Sequence, residues 1–459
     1  MSAAGYLDNI CLLTDSYKLT HFRQYPPGTT KIYSYFESRV GARYPATVFF
    51  GLQYFLERYL AGSVVTREQI DIADRLSTAH FGRAGLFHRA GWERIVERHG
   101  GMLPVSIRAV PEGTAVPTSN VLMTIENTDP ECWWLPNFLE TLLVETWYPC
   151  TVATRSRFMR GVIERSLEAT GSPELAEFKL HDFGFRGVSC PEQAAIGGAA
   201  HLVNFQGTDN LAALLLLRKF YDCDVAGFSI PASEHSTITS WGEAHEIDAM
   251  RNMLDQYPEG IVACVSDSFD IFRACREYWG TTLKSQIEDR NGTLVIRPDS
   301  GKPTDSVRGV LEALGERFGT RTNAKGFKVL PDCIRVIQGD GIDDESIGEI
   351  LDMMQSEGWS ADNIAFGSGG GLLQKLDRDT QRFAFKCSYA EVNGEGRDVY
   401  KRPATDPTKD SKRGRLKLVH DGEWRTVRES DSGTDLLEEV FRDGQILKRT
   451  TLAEVRSRK

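Results

Sequence analysis

From about residue 177 onward, short apolar runs alternate with longer amphipathic stretches. FKL (178–180), AGFSI (226–230), GIVACV (260–265), TLVIRP (293–298), IRVIQG (334–339) and NIAFG (363–367) each stand just before a candidate helix. Strand-then-helix alternation requires parallel strands joined by crossovers, hence a doubly wound sheet or a βα barrel. The first 150 residues read differently. KIYSYF (31–36), VSIRAV (105–110) and VLMTIEN (121–127) are strand-like, whereas LQYFLERYLAG is helical, which predicts a mixed α/β region without a phosphate loop. Near the other end RFAFKCSYAEV alternates as a strand does. A basic loop, KRPATDPTKDSKRGR (401–415), strand-like LKLVH and a charged tail follow it. This stretch carries too few apolar residues for a core of its own. The predicted division is an amino-terminal mixed α/β domain over 1–150, a barrel domain over 151–390, and a segment over 391–459 that packs on the amino-terminal domain.

The polar residues that follow these runs give the pattern its meaning. His181-Asp182-Phe183-Gly184 follows FKL, Ser233-Glu234-His235 comes shortly after AGFSI, and Ser266-Asp267-Ser268 follows GIVACV. Arg297-Pro298-Asp299-Ser300-Gly301, Gln338-Gly339-Asp340-Gly341 and Gly367-Ser368-Gly369-Gly370-Gly371 close the other three. Asp and Ser also serve as helix caps, and one such residue would mean little. Six in register predict a rim at the carboxyl ends of parallel strands, where barrel active sites are built.

The residue types on this rim suit a phosphorylated sugar. Glycines 369–371 ahead of LLQKL let backbone N–H groups approach an anion at a helix start, in the manner of barrel phosphate sites; no GK[ST] follows, so this is not a Walker loop. A tight turn would use the same glycines. Asp299 and Asp340 are suited to a vicinal diol, with Gly301, Gly339 and Gly341 leaving room beside them. Arg297 offers a planar fork for a phosphate or carbonyl oxygen, or a structural partner for Asp299. His235 opens a candidate helix and can act as nucleophile or acceptor, with Glu234 and Asp267 as candidate orienting carboxylates.

Composition narrows the class. A chain of 459 residues implies two or three domains, and 41% hydrophobic with 26% charged residues is a globular balance. The net charge of -10 excludes a general nucleic-acid or anionic-membrane binder while leaving room for a local basic pocket. The nine cysteines form no CxxC pair, so neither a zinc site nor a disulfide framework is expected. The amino terminus lacks a basic start and is interrupted by Asp8 and Asp15, and LAALLLL (211–217) is too short to span a bilayer. A cytoplasmic protein without a metal site of its own is expected.

Nine stretches together resemble the nicotinamide phosphoribosyltransferase family: LLTDSYKLTHFRQYPPGTTKIYSYFESR, HDFGFRGVS, FQGTDN, PASEHSTITSWG, VSDSFDI, IRPDSGKP, QGDGID, NIAFGSGGGLLQKLDRD and KRPATDPTKDSKRGRL. The likeness runs from about residue 8 to 420 with the motifs in order. It implies a type II phosphoribosyltransferase fold, an atypical α/β barrel with a second mixed α/β domain formed from both chain ends. It also implies a homodimer with active sites at the interface. The implied reaction joins nicotinamide to the phosphoribosyl group of phosphoribosyl pyrophosphate, releasing pyrophosphate. ATP is the implied co-substrate that phosphorylates His235, and Mg2+ would be carried by pyrophosphate or ATP. Phe183 and Tyr17 of the partner subunit would sandwich the base. Asp209 would accept from the carboxamide, although its position also suits a cap for NLAALLLLRKFY. Ser229, Arg297 and the partner subunit's Asp15 would complete the pocket, and Arg186 would be a further substrate-binding residue. Asp299, Asp340, Gly339, Gly369 and Gly370 would hold the ribose phosphate, and Arg39, Arg378, Lys386, Lys401, Lys409 and Arg415, some of them from the partner subunit, the phosphates. Two departures are Ala384, where vertebrate members have serine, and Phe185, where a tyrosine is usual. Three rivals remain: a nicotinate enzyme, a barrel lyase or aldolase working through Lys179, and a nucleotide-binding protein on a retained barrel.

Overall fold

The structure is a computed structural model that describes residues 7–402 and 411–458. It divides into two compact units. One contains the chain up to Thr154, the short piece Lys219–Cys223 and everything described from Leu376 onward; the other contains Arg155–Arg218 and Asp224–Lys375.

The second unit is built on a six-stranded sheet. Its spatial order is Gly207–Thr208, Leu180–Asp182, Ile364–Ser368, Ile334–Gln338, Asn291–Arg297 and Glu259–Val265. Every neighbouring pair is parallel. The AGFSI run is not a regular strand. Instead Phe228 bridges to Gly207 on one side of the sheet, and Ala232 bridges to Ala263 on the other. The Phe228 N–H donates to the Gln206 carbonyl at 2.7 Å and the Ala263 N–H to the Pro231 carbonyl at 2.9 Å. Pro231 has no N–H to give a ladder, which is why pairing here stops at single bridges. Those two bridges close the sheet into a ring, so the barrel is realised and the doubly wound alternative is not.

Strands covered on both faces read as continuous apolar runs, and these do. Val262, Cys264, Leu294, Ile296, Val336, Ile364 and Phe366 are fully buried. The alternate residues Ala263, Val295 and Ile337 form a second cluster with Phe183, Ile230 and Ala365. That face borders a cavity of about 440 Å³ whose lining includes Ile261, Thr293, Val295, Ile337 and Ala365. The crossover helix Pro303–Phe318 starts with proline in its first turn and buries Val307, Val310, Leu311, Leu314 and Phe318 at helical spacing.

The first unit carries a seven-stranded antiparallel sheet. Both chain ends enter it: Phe383–Val392 pairs with Thr29–Ser38, and Glu438–Arg442 pairs with Val105–Ala109. Residues 376–390, grouped with the barrel in the sequence division, therefore belong to this unit. Their strand alternation is satisfied by an antiparallel partner, with Tyr35 opposite Lys386 and Phe36 opposite Phe385.

Lys179 lies just before the strand Leu180–Asp182, at the end opposite the rim. Its ammonium donates to the carbonyls of Ala361, Asp362 and Ile364 at 3.0, 3.1 and 2.7 Å. A lysine tied to three carbonyls is a clamp, and the lyase reading loses its nucleophile. Lys179→Met should remove all three bonds and cost about 3 kcal/mol of folding free energy, read by chemical denaturation. A loss under about 1 kcal/mol would show that the clamp is dispensable.

Candidate functional site

Because all barrel strands run the same way, their carboxyl ends lie on one rim, and side chains far apart in sequence meet there. His235 opens the short helix His235–Thr239. Its Nε2 lies 3.1 Å from Asp267 Oδ1, and its Nδ1 lies 3.9 Å from Asp299 Oδ2. Asp267 is anchored from behind: its Oδ2 accepts the Asp299 N–H at 3.0 Å and the Ser300 hydroxyl at 2.5 Å. The Asp267 side chain is 4% exposed and the His235 side chain 47%, so a fixed acid orients an accessible imidazole. Asp299 in turn is held by Arg297 in a two-pronged pair, Nε to Oδ1 at 3.2 Å and Nη2 to Oδ2 at 2.8 Å. The Arg–Asp pair allowed for in the sequence is thus formed, and the guanidinium also lies 5.9 Å from the Phe183 ring centre.

Phe183 rests on glycine. A Cβ on Gly367 would fall 2.0 Å from its ring, and one on Gly339 would fall 3.3 Å from Asp299 Oδ1 and 3.5 Å from the ring. Next along the rim, the Ser229 hydroxyl donates to Asp209 Oδ1 at 2.5 Å. Asp209 follows the two-residue strand Gly207–Thr208 and is exposed. The glycine triplet divides by role. A Cβ on Gly371 would meet the Ile342 carbonyl at 2.3 Å, so Gly371 is there for packing; Gly369 and Gly370 have nothing closer than 3.4 and 3.7 Å. Gly370–Leu373 forms a single helical turn behind them. Asp340 and Arg186 are exposed, Arg186 on the turn Phe185–Gly187.

Glu234 does not take the orienting role expected of it. Its carboxylate accepts from the Ser236 hydroxyl, and its N–H donates to Thr237 Oγ1 at 3.2 Å, so it caps its own helix. Two further residues carry structure that the sequence reading left unassigned. Asp182 is wholly buried, and Asn210 donates to it at 3.0 Å. Their membership of HDFGFRG and FQGTDN was the available signal.

The other candidates lie in the first unit. Burial pushes the Lys386 ammonium down; Glu140 opposes this, whereas the positive charges of Lys401, Arg39 and Arg378 push the same way. Four of the six predicted phosphate ligands are therefore electrostatic neighbours. Arg415 is differently placed. It forks onto Glu126 at 2.7 and 3.0 Å and onto Glu429 at 2.5 Å, over the Tyr33 ring. Its Nε, Nη1 and Nη2 each donate to one of these carboxylates, so it serves as a structural tie. Lys409 lies outside the described residues. Asp15 accepts from the Thr141 hydroxyl at 2.9 Å, and Tyr17 is 58% exposed.

Among the described residues, His99, Asp129 and Cys132 come close enough together to hold a metal ion. They do not fit one. Asp129 is engaged by Arg94 at 2.9 Å and by His99 at 2.8 Å, and burial pushes the Cys132 thiol up to about 12.

The nicotinate phosphoribosyltransferase (NAPRTase) family profile matches residues 178–445, and that of the nicotinamide phosphoribosyltransferase N-terminal domain matches 9–107. The chain is 53% identical to a nicotinamide phosphoribosyltransferase of Xanthomonas campestris pv. campestris, covering 98% of each chain. It is 33% identical to one from Acinetobacter baylyi, covering 97% of this chain and 95% of the other. The fold is that of solved relatives at lower identity. These are a Pyrococcus furiosus nicotinate-nucleotide pyrophosphorylase (TM-score 0.63, 16% identity, covering 100% and 96%) and human nicotinic acid phosphoribosyltransferase (TM-score 0.58, 17%, covering 97% and 92%). On the full-length match to these bacterial relatives, the chain belongs to the nicotinamide phosphoribosyltransferase family.

Proposed function

We propose that this chain transfers the phosphoribosyl group of phosphoribosyl pyrophosphate to nicotinamide, giving nicotinamide mononucleotide and pyrophosphate for NAD salvage. The observation that carries the reading is the pairing of an aromatic wall with an acid on one rim: Phe183 backed by Arg297, and Asp209 held by Ser229. A flat neutral base stacks on the first and gives its amide N–H to the second. A carboxylate at that place repels nicotinate, so it selects against the acid as well as for the amide.

The pyridine nitrogen lone pair forms the new bond to the anomeric carbon. The bond from that carbon to pyrophosphate breaks, and pyrophosphate leaves with the electron pair. Positive charge builds on the sugar as this happens, and Asp299 and Asp340 at their strand ends suit its hydroxyls. The departing phosphates call for cations, and Arg39, Arg378, Lys386 and Lys401 are the group whose mutual repulsion an anion relieves. Magnesium enters with the phosphates, as part of the substrate.

His235 takes the ATP phosphoryl group in this reading. With Nε2–H given to Asp267, the lone pair stands on Nδ1. Its bond to the γ-phosphorus forms as the bond to ADP breaks. A second copy of the chain completes the base pocket with the partner subunit's Tyr17 and Asp15. Self-association is supported by the exposed apolar side chains Leu211 and Leu215, which are 71% and 70% exposed. All nine cysteines are free thiols, in keeping with a reducing cytoplasm. No helix among the described residues is long and apolar enough to cross a membrane.

Product formation from phosphoribosyl pyrophosphate and magnesium, with nicotinamide and nicotinate compared, tests the reaction; turnover of nicotinate alone would overturn the pocket assignment. Asp209→Asn should raise the nicotinamide KM by about 10- to 100-fold and narrow the discrimination against nicotinate. Gly367→Ala should tilt the Phe183 ring and lower kcat/KM for nicotinamide about tenfold, with the KM for phosphoribosyl pyrophosphate unchanged. His235→Ala should abolish stimulation by ATP while basal transfer persists. Stimulation that survives the substitution would remove His235 from the ATP step.

A further inference from the structure

We infer that Asp182 and Asn210 form a buried bracket that fixes the two walls of the base pocket relative to each other, making Asp182 a positioning residue for the transfer. The inference rests on the reading of Phe183 and Asp209 given above. Asp182 ends the strand Leu180–Asp182 and is wholly buried. One carboxylate oxygen accepts the Gly184 N–H at 2.7 Å, on the far side of Phe183. The other accepts from Asn210 Nδ2 at 3.0 Å, one residue beyond Asp209. The Asp182 carbonyl also accepts the Asp209 N–H at 3.0 Å. A single side chain thus ties the loop that carries the aromatic wall to the loop that carries the acid.

Asn210 is itself locked. Nδ2 donates a second time, to the Ala194 carbonyl at 2.8 Å, while Oδ1 accepts the Ala213 N–H at 3.3 Å. Turning the amide over would break all three bonds, so Asn210 must present N–H groups to Asp182. The surroundings are fitted to the acid: a Cβ on Gly184 would come 3.0 Å from one of its oxygens, and a Cβ on Gly198 would come 2.8 Å from the other. Burial pushes the carboxyl up to about 6, the Asn210 and Gly184 bonds pull it back, and Asp209 is the charged group that acts on it. A corner with only a structural task could be filled with an apolar side chain at less cost. Two donors converging from opposite sides require an acceptor on both oxygens, which a carboxylate supplies and an amide does not.

Asp182→Asn makes that distinction without a change of shape. Its NH2 must face either the Gly184 N–H or Asn210 Nδ2, donor against donor, and one loop must move. The nicotinamide KM is expected to rise about tenfold or more, with the KM for phosphoribosyl pyrophosphate within about twofold. Equal changes in both KM values, or no change in either, would overturn the bracket. Should Asp182→Asn not fold, Asn210→Ala keeps the Gly184 bond and is expected to raise the nicotinamide KM alone; an unchanged KM there counts against the inference. Phe183→Ala and Asp209→Ala are measured alongside. If these two raise the nicotinamide KM and Asp182→Asn does not, the bracket fails and the pocket stands. If neither does, the pocket assignment fails and takes the bracket with it.

Discussion

Parallel strands pair only if the chain returns to the same end between them, and this requirement organises the barrel unit. Each crossover delivers the next strand with the same polarity, so every carboxyl end emerges on one side. Asp182, Asp209, Asp267, Arg297 and Gly339 come from five different strand ends and share a rim for that reason alone. The ring itself depends on little more than two bridges, at Phe228 and Ala232. Ser229 and His235 hang from that closing segment, so the place where the barrel is sealed is also where it is functionalised.

Side chains on the rim are arranged as a relay of donors and acceptors. Arg297 holds Asp299, the backbone of Asp299 anchors Asp267, and Asp267 holds His235. Each acid is restrained by a donor behind it, leaving its partner aimed outward. Preorganisation of this kind means that little must be reordered when a charged substrate arrives. The same logic explains the glycines. Gly367 carries no side chain because an aromatic ring stands in the space a Cβ would need, and a Cβ on Gly339 would press on the Asp299 carboxylate.

The sheet of the other unit obeys a different constraint. Its antiparallel pairs need no crossover, so strands from opposite ends of the chain can be neighbours. Thr29–Ser38 lies between a strand near residue 390 and one near residue 125. This pairing gathers Arg39, Arg378, Lys386 and Lys401, residues separated by up to 362 positions in the chain. It also consumes some of the charge: Arg415 is spent on Glu126 and Glu429.

The alternation of apolar runs and helices, with polar residues after each run, was enough to predict parallel strands and most of their shared rim, because period and polarity are local properties; it left a doubly wound sheet and a barrel both open. The family motifs added the base pocket, again from contiguous residues such as HDFGFRG and FQGTDN. Partner choice was not local. Glu234 bonds to Ser236 rather than to His235, Arg415 to Glu126 rather than toward the basic cluster, and Lys179 to three backbone carbonyls. The strand Phe383–Val392 follows an antiparallel partner more than 340 residues away. The closing of the ring through Pro231 and the burial of Asp182 between two loops were likewise decided by the tertiary structure. A side chain's type can be read along the chain, but the donor or acceptor that will satisfy it depends on which segments fold against it.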